Sequence, residues 1–347
     1  MIEAFRSCLK LDEAAIKKVA EVLNSSDSFV VTCHVRPDGD AVGSILGLGL
    51  ALKDAGRGAV IYTEEPIPER LAFLPGSEFV VSGAAPMPER FILVVLDCNE
   101  PVRIGARFAE LVEKASGVVV LDHHLAKILD SWGGKISVSY IEPGVFATGA
   151  IVYLVIEELG WPISDTVASN IYAAILSDTG CFCHSNTNEA AFLMAAKMVG
   201  HGADPYAIAN GLYQNYSVAR QRLLALALKT LELKGRDRIG LMQVTPDMFK
   251  ICGASESDTD DFVGYVRALR SVEVAVFIKE VHEGQTYVSL RSKSFYNVSE
   301  LAQEFGGGGH VRAAGFRMAA SASEVRGLLL NRLIQDFDAL GGTDVGD

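Results

Sequence analysis

The sequence predicts an α/β protein, a doubly wound parallel-sheet domain followed by a smaller α+β domain. Three observations carry this. Short β-branched apolar runs alternate with helical patterns through the first half, which suits a parallel sheet covered on both faces. At 347 residues the chain exceeds the usual size of one hydrophobic core. In the second half the alternation gives way to closely spaced strands with helices between and after them.

The elements follow in order. The start, "MIEAFRSCLKLDEAAIKKVAEVL", reads as an amphipathic helix with interspersed charges and lacks the apolar region of a signal peptide. No apolar segment reaches bilayer-spanning length, so the expected compartment is the cytoplasm, with no membrane partner. "SFVVTC", "GAVIYT", "FILVVLD" and "GVVVLD" read as buried strands. Ligand chemistry in such sheets gathers at the carboxyl ends of the strands. Three runs deliver an acid or a histidine there: the first enters His34, the third ends at Asp97, and the fourth brings Asp122, His123 and His124. A helical stretch, "TVASNIYAAILSDTG", places Asp178 before a Thr-Gly break.

After a connecting helix, "SVARQRLLALALKTLEL", the strands "RIGLMQVT", "VEVAVFIKEV" and "TYVSLRSKS" and the helices "SDTDDFVGYVRALR" and "VSELAQEF" make up the second domain. Ser321 and Glu324 form the capping box of a final helix. The domains are placed at 1–217 and 218–347, with the boundary inside the helix around Val218 to Lys234. There is no internal repeat, and the last residues, "GGTDVGD", read as a frayed tail.

Composition narrows the function classes. A 49% hydrophobic fraction excludes a disordered chain, and a net charge of −12 disfavours extended binding to long duplex nucleic acid, which depends on neutralising many phosphates. Small anionic substrates are compatible with that charge if metal ions supply the positive pole. The six cysteines, Cys8, Cys33, Cys98, Cys181, Cys183 and Cys252, show no paired zinc spacing and are expected to be buried free thiols.

The acids and imidazoles of the first half have the composition of a two-metal hydrolytic centre. Hard divalent cations take carboxylate oxygens, and imidazole shifts the preference toward Mn2+, with Mg2+ or Co2+ as alternatives. In "HVRPDGDAVGS" Asp38 and Asp40 lie two apart, so a loop can direct one to each metal, with Gly39 allowing a tight backbone. Each residue also has an ordinary reading: Pro-Asp-Gly is turn chemistry, Asp97 could cap a helix, the histidine pair could be satisfied in a polar pocket, and Asp178 suits a helix end. Their conjunction favours the metal reading.

"HVRPDGDAVGS", "VVLDC", "LDHH" and "SDTG", in that order, resemble the four motifs of the DHH phosphoesterase superfamily. "SLRSK" and "FGGGGHVRAAGF" resemble its DHH-associated C-terminal domain. The resemblance spans nearly the whole chain and is nearest to the compact branch holding the nano-RNase and pAp-phosphatase enzymes and the stand-alone cyclic di-AMP phosphodiesterases. It implies that His34 and Asp38 hold one metal, that Asp40, His123 and Asp178 hold the other, and that Asp97 bridges them. Asp122 then orients an imidazole from behind, and His124 faces the scissile phosphate. Arg291, Ser292, Gly307, Gly308, Gly309, His310 and Arg312 become the substrate-binding set, the two domains closing over a short RNA or small nucleotide. A homodimer is also implied.

Two departures from the branch stand out. It commonly reads Phe-Arg-Tyr-Ser where this chain has Phe182, Cys183, His184 and Ser185, so a positive charge is missing, with Arg36 or His184 as the residues that could replace it. "LAKILDSWGG", after the histidine pair, lacks an expected asparagine. The expected function is metal-dependent hydrolysis of short oligoribonucleotides, with pAp as a further substrate. Cyclic dinucleotide hydrolysis and a non-catalytic nucleotide sensor are the alternatives, the sensor having no need of a bridging Asp97.

Overall fold

The computed structural model describes residues 8–9, 11–125, 132 and 134–341. Residues 1–7 of the expected first helix, most of the segment after the histidine pair (126–131 and 133) and the tail (342–347) lie outside the described residues. The chain divides into two compact units, Met1–Asn215 and Tyr216–Asp347.

The first unit opens with α1 (Glu13–Asn24), capped by the Asp12 carboxylate, which accepts from the Ala15 amide. Its inward stripe is Ile16, Val19, Ala20 and Leu23, the spacing of one helix face. Then come β1 (Ser28–Thr32), α2 (Gly39–Asp54), β2 (Gly58–Thr63), β3 (Val80–Ser82), β4 (Ile92–Leu96), α3 (Phe108–Lys114), β5 (Gly117–Asp122) and β6 (Ile136–Ile141). Four helices complete it: α4 (Thr148–Glu158), α5 (Asp165–Asp178), α6 (Glu189–Gly200) and α7 (Pro205–Tyr213). The strands form one parallel sheet in the order β3-β2-β1-β4-β5-β6.

The central strands are apolar throughout because successive side chains enter different cores. Phe29, Val31, Val94, Leu96, Val119 and Leu121 pack with α2, α4 and α5, while Val30, Leu93, Val95, Val118 and Val120 pack with Leu111 and Trp132 on the other face. The sequence reading missed β3 and β6. β3 has three residues, and β6 is a partly exposed edge strand interrupted by Ser137 and Ser139, so neither shows a continuous apolar run. Strand order reverses between β1 and β4, and the crevice outside their carboxyl ends is where such sheets bind ligands.

The second unit contains α8 (Val218–Leu228), β7 (Glu232–Lys234), β8 (Ile239–Val244), α9 (Pro246–Cys252), α10 (Phe262–Arg267), β9 (Val274–His282), β10 (Gln285–Ser292), α11 (Val298–Glu304), β11 (Gly308–His310), β12 (Ala313–Met318) and α12 (Ala322–Gly341). Its mixed sheet runs β11-β12-β10-β9-β8-β7, parallel only between β8 and β9. The connecting helix is shorter than its apolar spacing predicts. It stops at Leu228, and Glu232–Lys234 pair instead with β8, the Thr230 hydroxyl accepting from the Gln243 amide at the turn. The capping box is present: the Ser321 amide and hydroxyl donate to Glu324 Oε2 (2.9 and 2.7 Å), and the Glu324 amide donates back to Ser321 Oγ (3.3 Å). Among the described residues no helix is long and apolar enough to cross a membrane.

Candidate metal centre

The strand-end residues of the first unit converge. His34 follows β1, and its Nδ1 lies 2.9 Å from the Val35 carbonyl, which directs Nε2 toward Asp97 Oδ2 at 3.5 Å. Asp38 is the N-cap of α2, its Oδ1 accepting from the amides of Asp40 and Ala41. Asp40 therefore sits in the first turn of a helix, not in a loop as the sequence suggested. The role of Gly39 changes too. Its backbone is not left-handed; a Cβ there would meet Ser177 Oγ of α5 at 2.5 Å, so glycine is needed for close packing beside Asp178.

Asp40 is buried at the base of the site. Its Oδ1 accepts from the Ser44 hydroxyl (3.0 Å) and the Gly149 amide (3.0 Å), its Oδ2 from the Thr148 amide (2.7 Å). These amides belong to the start of α4, where a carboxylate suits the helix dipole. Asp97 follows β4 with φ +59, a left-handed conformation costly for a side-chain-bearing residue and characteristic of functional sites. Its amide donates to the Leu121 carbonyl, and its Oδ1 accepts from the Thr148 hydroxyl at 2.9 Å.

His123 and His124 leave β5 in different directions. His123 Nδ1 is 3.2 Å from the Val145 carbonyl, and Nε2 lies 3.6 Å from Asp40, 3.6 Å from Asp97 and 3.9 Å from Asp178. That buried Nε2 has no hydrogen-bond partner among the described residues. An imidazole nitrogen without a hydrogen bond, facing three carboxylates, fits either a proton or a cation held among them. His124 Nδ1 bonds Asp122 Oδ1 at 2.7 Å, and Asp122 Oδ2 accepts from Asn99 at 2.7 Å. Asp178 ends α5 and is held by Asn186, whose Nδ2 donates to Oδ2 at 2.8 Å.

Three sets of ligand atoms lie within 4.8 Å of one another: His34, Asp38 and Asp97; Asp40, His123 and Asp178; Asp97, His123 and His124. Asp97 and His123 each recur in two of the sets. The donor set of carboxylates and imidazoles, with no thiolate, fits hard to borderline divalent cations.

The electrostatics show the same crowding. Burial and the neighbouring Asp97 and Asp178 push Asp40 well above the usual carboxylate range. Burial lifts Asp178 to about 6, against the pull of His123. Burial opposes charge on His123, but Asp178, Asp40 and Asp97 prevail and raise it to about 9. Burial works against His34 and His124 too, yet the Asp97 bond raises the first and the Asp122 bond the second. Asp97 alone is held below its usual range: burial is outweighed by the bond from His34 and the charges of His124 and His123. Carboxylates outnumber the imidazoles that offset them.

Sequence reasoning missed Thr148, Gly149, Asn99 and Asn186. The run after Asp178 is a left-handed turn, with Gly180, Cys181 and Phe182 all at φ between +55 and +63. His184 Nδ1 approaches the Asp178 carbonyl at 3.2 Å, so this residue braces the turn. The thiols are free as expected, but only Cys33, Cys98 and Cys252 are buried; Cys8, Cys181 and Cys183 are exposed, the last two because the turn carries them outward.

Residues 28–175 match the DHH family N-terminal domain, and residues 249–339 match the DHHA1 domain. The chain is 34% identical to a bifunctional oligoribonuclease and PAP phosphatase NrnA of Thermus thermophilus, over 86% of this chain and 87% of the relative. The chain belongs to the DHH family. It is 26% identical to the Bacillus subtilis protein of that name over 83% of this chain and 88% of the relative. A crystal structure of an exopolyphosphatase-related protein from Bacteroides fragilis shares the fold, with a TM-score of 0.84 and 24% identity over 94% of this chain and 98% of that one. DHH phosphoesterases are metal-dependent, in keeping with the donor set here.

In the DHHA1 domain the nucleotide-binding candidates fall into two groups. Arg291 is on β10, its Nη1 donating to the Leu290 carbonyl (3.0 Å), and burial holds its guanidinium below its ordinary pKa. Gly308–His310 pair with β12, so the glycine run is partly a hairpin. A Cβ on Gly307 would strike the Gly315 carbonyl at 2.2 Å, and one on Gly309 (φ +143) the Ala313 carbonyl at 2.5 Å, so these two glycines are required by strand approach alone. The Ser292 side chain is fully buried on the face opposite Arg291, because alternate residues of a strand point apart. Arg312 Nη1 donates to the Tyr296 carbonyl at 3.2 Å.

Proposed function

We propose that the protein is a phosphoric ester hydrolase that uses two divalent cations, Mn2+ by preference, to cleave short oligoribonucleotides and to dephosphorylate pAp. The observation that carries this is the Nε2 of His123 without a hydrogen bond among Asp40, Asp97 and Asp178, with Asp97 presenting Oδ1 to His123 at 3.6 Å and Oδ2 to His34 at 3.5 Å. His34, Asp38 and Asp97 would hold one cation, and Asp40, His123 and Asp178 the other. When bound, such a pair supplies a water of lowered pKa and charge to offset that of the phosphate.

The chain's own groups have separable tasks. Thr148, Gly149 and Ser44 keep Asp40 from rotating out of the site, and the Thr148 hydroxyl does the same for Asp97. Asn99 fixes Asp122, and Asp122 fixes His124 by Nδ1 and favours its protonated form, which donates to a phosphoryl oxygen. In the DHHA1 domain Arg291, His310 and the amides of Gly307–Gly309 would bind the nucleotide, with Arg312 supporting that loop. A cytoplasmic location and a homodimeric state belong to the same proposal, the second checked by light scattering.

The test is a side-by-side assay of a dinucleotide, a pentanucleotide and a 24-mer RNA with pAp and cyclic di-AMP, in Mn2+ and in chelator. Metal-dependent turnover, with kcat/KM highest on the dinucleotide and pentanucleotide, is expected. Equal efficiency on the 24-mer removes the short-substrate reading, and exclusive cleavage of cyclic di-AMP replaces it.

A further inference from the structure

The C-terminal sheet has one face that is covered over only part of its width. On the inner face Val288, Leu290, Ala314 and Phe316 pack with Leu301 of α11 and Leu329 and Leu333 of α12. On the outer face, Ala275 and Phe277 of β9 are buried with residues of α8, α9 and α10, and that core takes no buried member from β10, β11 or β12. Beyond β9 the outer face is partly open. Tyr287, Ser289, Arg291, Ala313 and Gly315 are half-buried, and Arg317 is exposed.

Strand register arranges these residues in rows. Arg291 lies opposite Ala313, which lies opposite His310. The next row is Ser289, Gly315 and Gly308, a floor with almost no side chain. The third is Lys279, Tyr287 and Arg317, directly opposite one another across β9, β10 and β12. Lys279 Nζ is 5.3 Å and Arg317 Cζ 5.2 Å from the centre of the Tyr287 ring, so the two cations hold the ring between them. Lys279 is also paired with Glu256 at 2.8 Å, while Arg317 has no ion-pair partner among the described residues.

We propose that this row is a second nucleotide subsite, in which a base displaces the exposed Arg317 from the Tyr287 ring and stacks there, and Arg317 turns to a phosphate of a single-stranded RNA anchored at Arg291 and His310. A half-buried aromatic ring beside exposed positive charge is the chemistry of sequence-tolerant single-strand binding. In a protein of net charge −12, such a cluster is a local attractor for an anionic chain. Arg291 and Tyr287 are four residues apart on an antiparallel strand, about 13 Å. That is about four stacked-nucleotide rises of roughly 3.4 Å, which a pentanucleotide covers and a dinucleotide does not. The subsite would set how strongly the enzyme prefers oligomers over dinucleotides.

This inference rests on the oligoribonuclease reading, and the test separates the two. Steady-state kinetics of wild type, Tyr287→Ala, Tyr287→Phe and Arg317→Ala are compared on a dinucleotide and a pentanucleotide. Tyr287→Ala is expected to raise the pentanucleotide KM about tenfold more than the dinucleotide KM, with Tyr287→Phe close to wild type. Arg317→Ala is expected to lower the salt slope of pentanucleotide binding by about one. Equal effects on both substrates, or none, overturn the subsite, as does a change of oligomeric state in Tyr287→Ala, which would give the face to a second copy. If wild type cleaves neither RNA, the functional reading fails by itself. Anisotropy of a labelled pentanucleotide on wild type and Tyr287→Ala then still decides the subsite, equal affinity rejecting it.

Discussion

Two buried carboxylates, one in each unit, are hydrogen-bonded to a similar extent and titrate in opposite directions. Glu273 accepts from the amides of Ser294, Phe295 and Tyr296 and from the Ser294 hydroxyl, and these bonds overcome burial to hold it below its ordinary range. Asp40 accepts from the Thr148 and Gly149 amides and the Ser44 hydroxyl, yet it is pushed well above that range. The difference lies in the neighbours. Asp40 shares its surroundings with Asp97, Asp178 and Asp38, whereas no second carboxylate is among the influences on Glu273. Hydrogen bonds finish a structural carboxylate; a cluster of carboxylates also needs a proton or a cation.

The comparison breaks most sharply at Asp97. Asp97→Ala removes the ligand proposed to be shared, and turnover of bis-p-nitrophenyl phosphate should fall about a thousandfold or more while the protein stays folded, since several kcal/mol of charge stabilisation would depend on bound metal. Metal content by mass spectrometry and the circular dichroism of the same sample check it. A near wild-type rate in full Mn2+ would remove Asp97 from the centre.

Asn99→Ala should have a smaller effect, about 10–100-fold on the same substrate, through a misoriented Asp122 and His124. The metal content should be retained, and rescue is expected from Asn99→Gln only if the longer amide still reaches Asp122. An unchanged rate would make the Asn99 bond to Asp122 incidental.

Glu273→Gln tests the structural side. A carboxamide presents a donor to amides that need an acceptor, so the C-terminal unit should lose about 1–3 kcal/mol in denaturant unfolding at neutral pH, with metal binding intact. The sign with pH follows from a folded pKa below the unfolded one. The carboxylate's contribution is present above the unfolded value and fades as pH falls through the folded value, so wild type and variant should converge in acid. A constant gap across that range would place the stabilisation elsewhere.

The remaining effect is read in protons. His123, raised to about 9, carries a proton at pH 7 in the metal-free protein and must lose it to become a ligand. Mn2+ binding should therefore release protons, measured by calorimetry in buffers of different ionisation enthalpy. Affinity should fall at least about tenfold per pH unit between 9 and 6, since Asp40 and His34 are raised as well, and more steeply below about 6 as Asp178 protonates. Binding without proton release would exclude His123 as a ligand.

The sequence by itself determined the inner strands, the strand-end acids and the final helix cap. These depend on short-range facts: a β-branched run long enough to be a buried strand, an acid directly after it, and Ser321 three residues before Glu324. Tertiary structure decided what surrounds those acids. The amides of Thr148 and Gly149 reach Asp40 across more than a hundred residues, and Asn99 reaches Asp122 across 23. No local period encodes such a contact. It also decided that residues 232–234 pair as a strand, because β8 offered an edge, and that Ser292 turns away from Arg291, because a pleated strand sends neighbours to opposite faces. Local pattern sets which side chains can be ligands, and the convergence of distant backbone segments sets which of them are held in place to act.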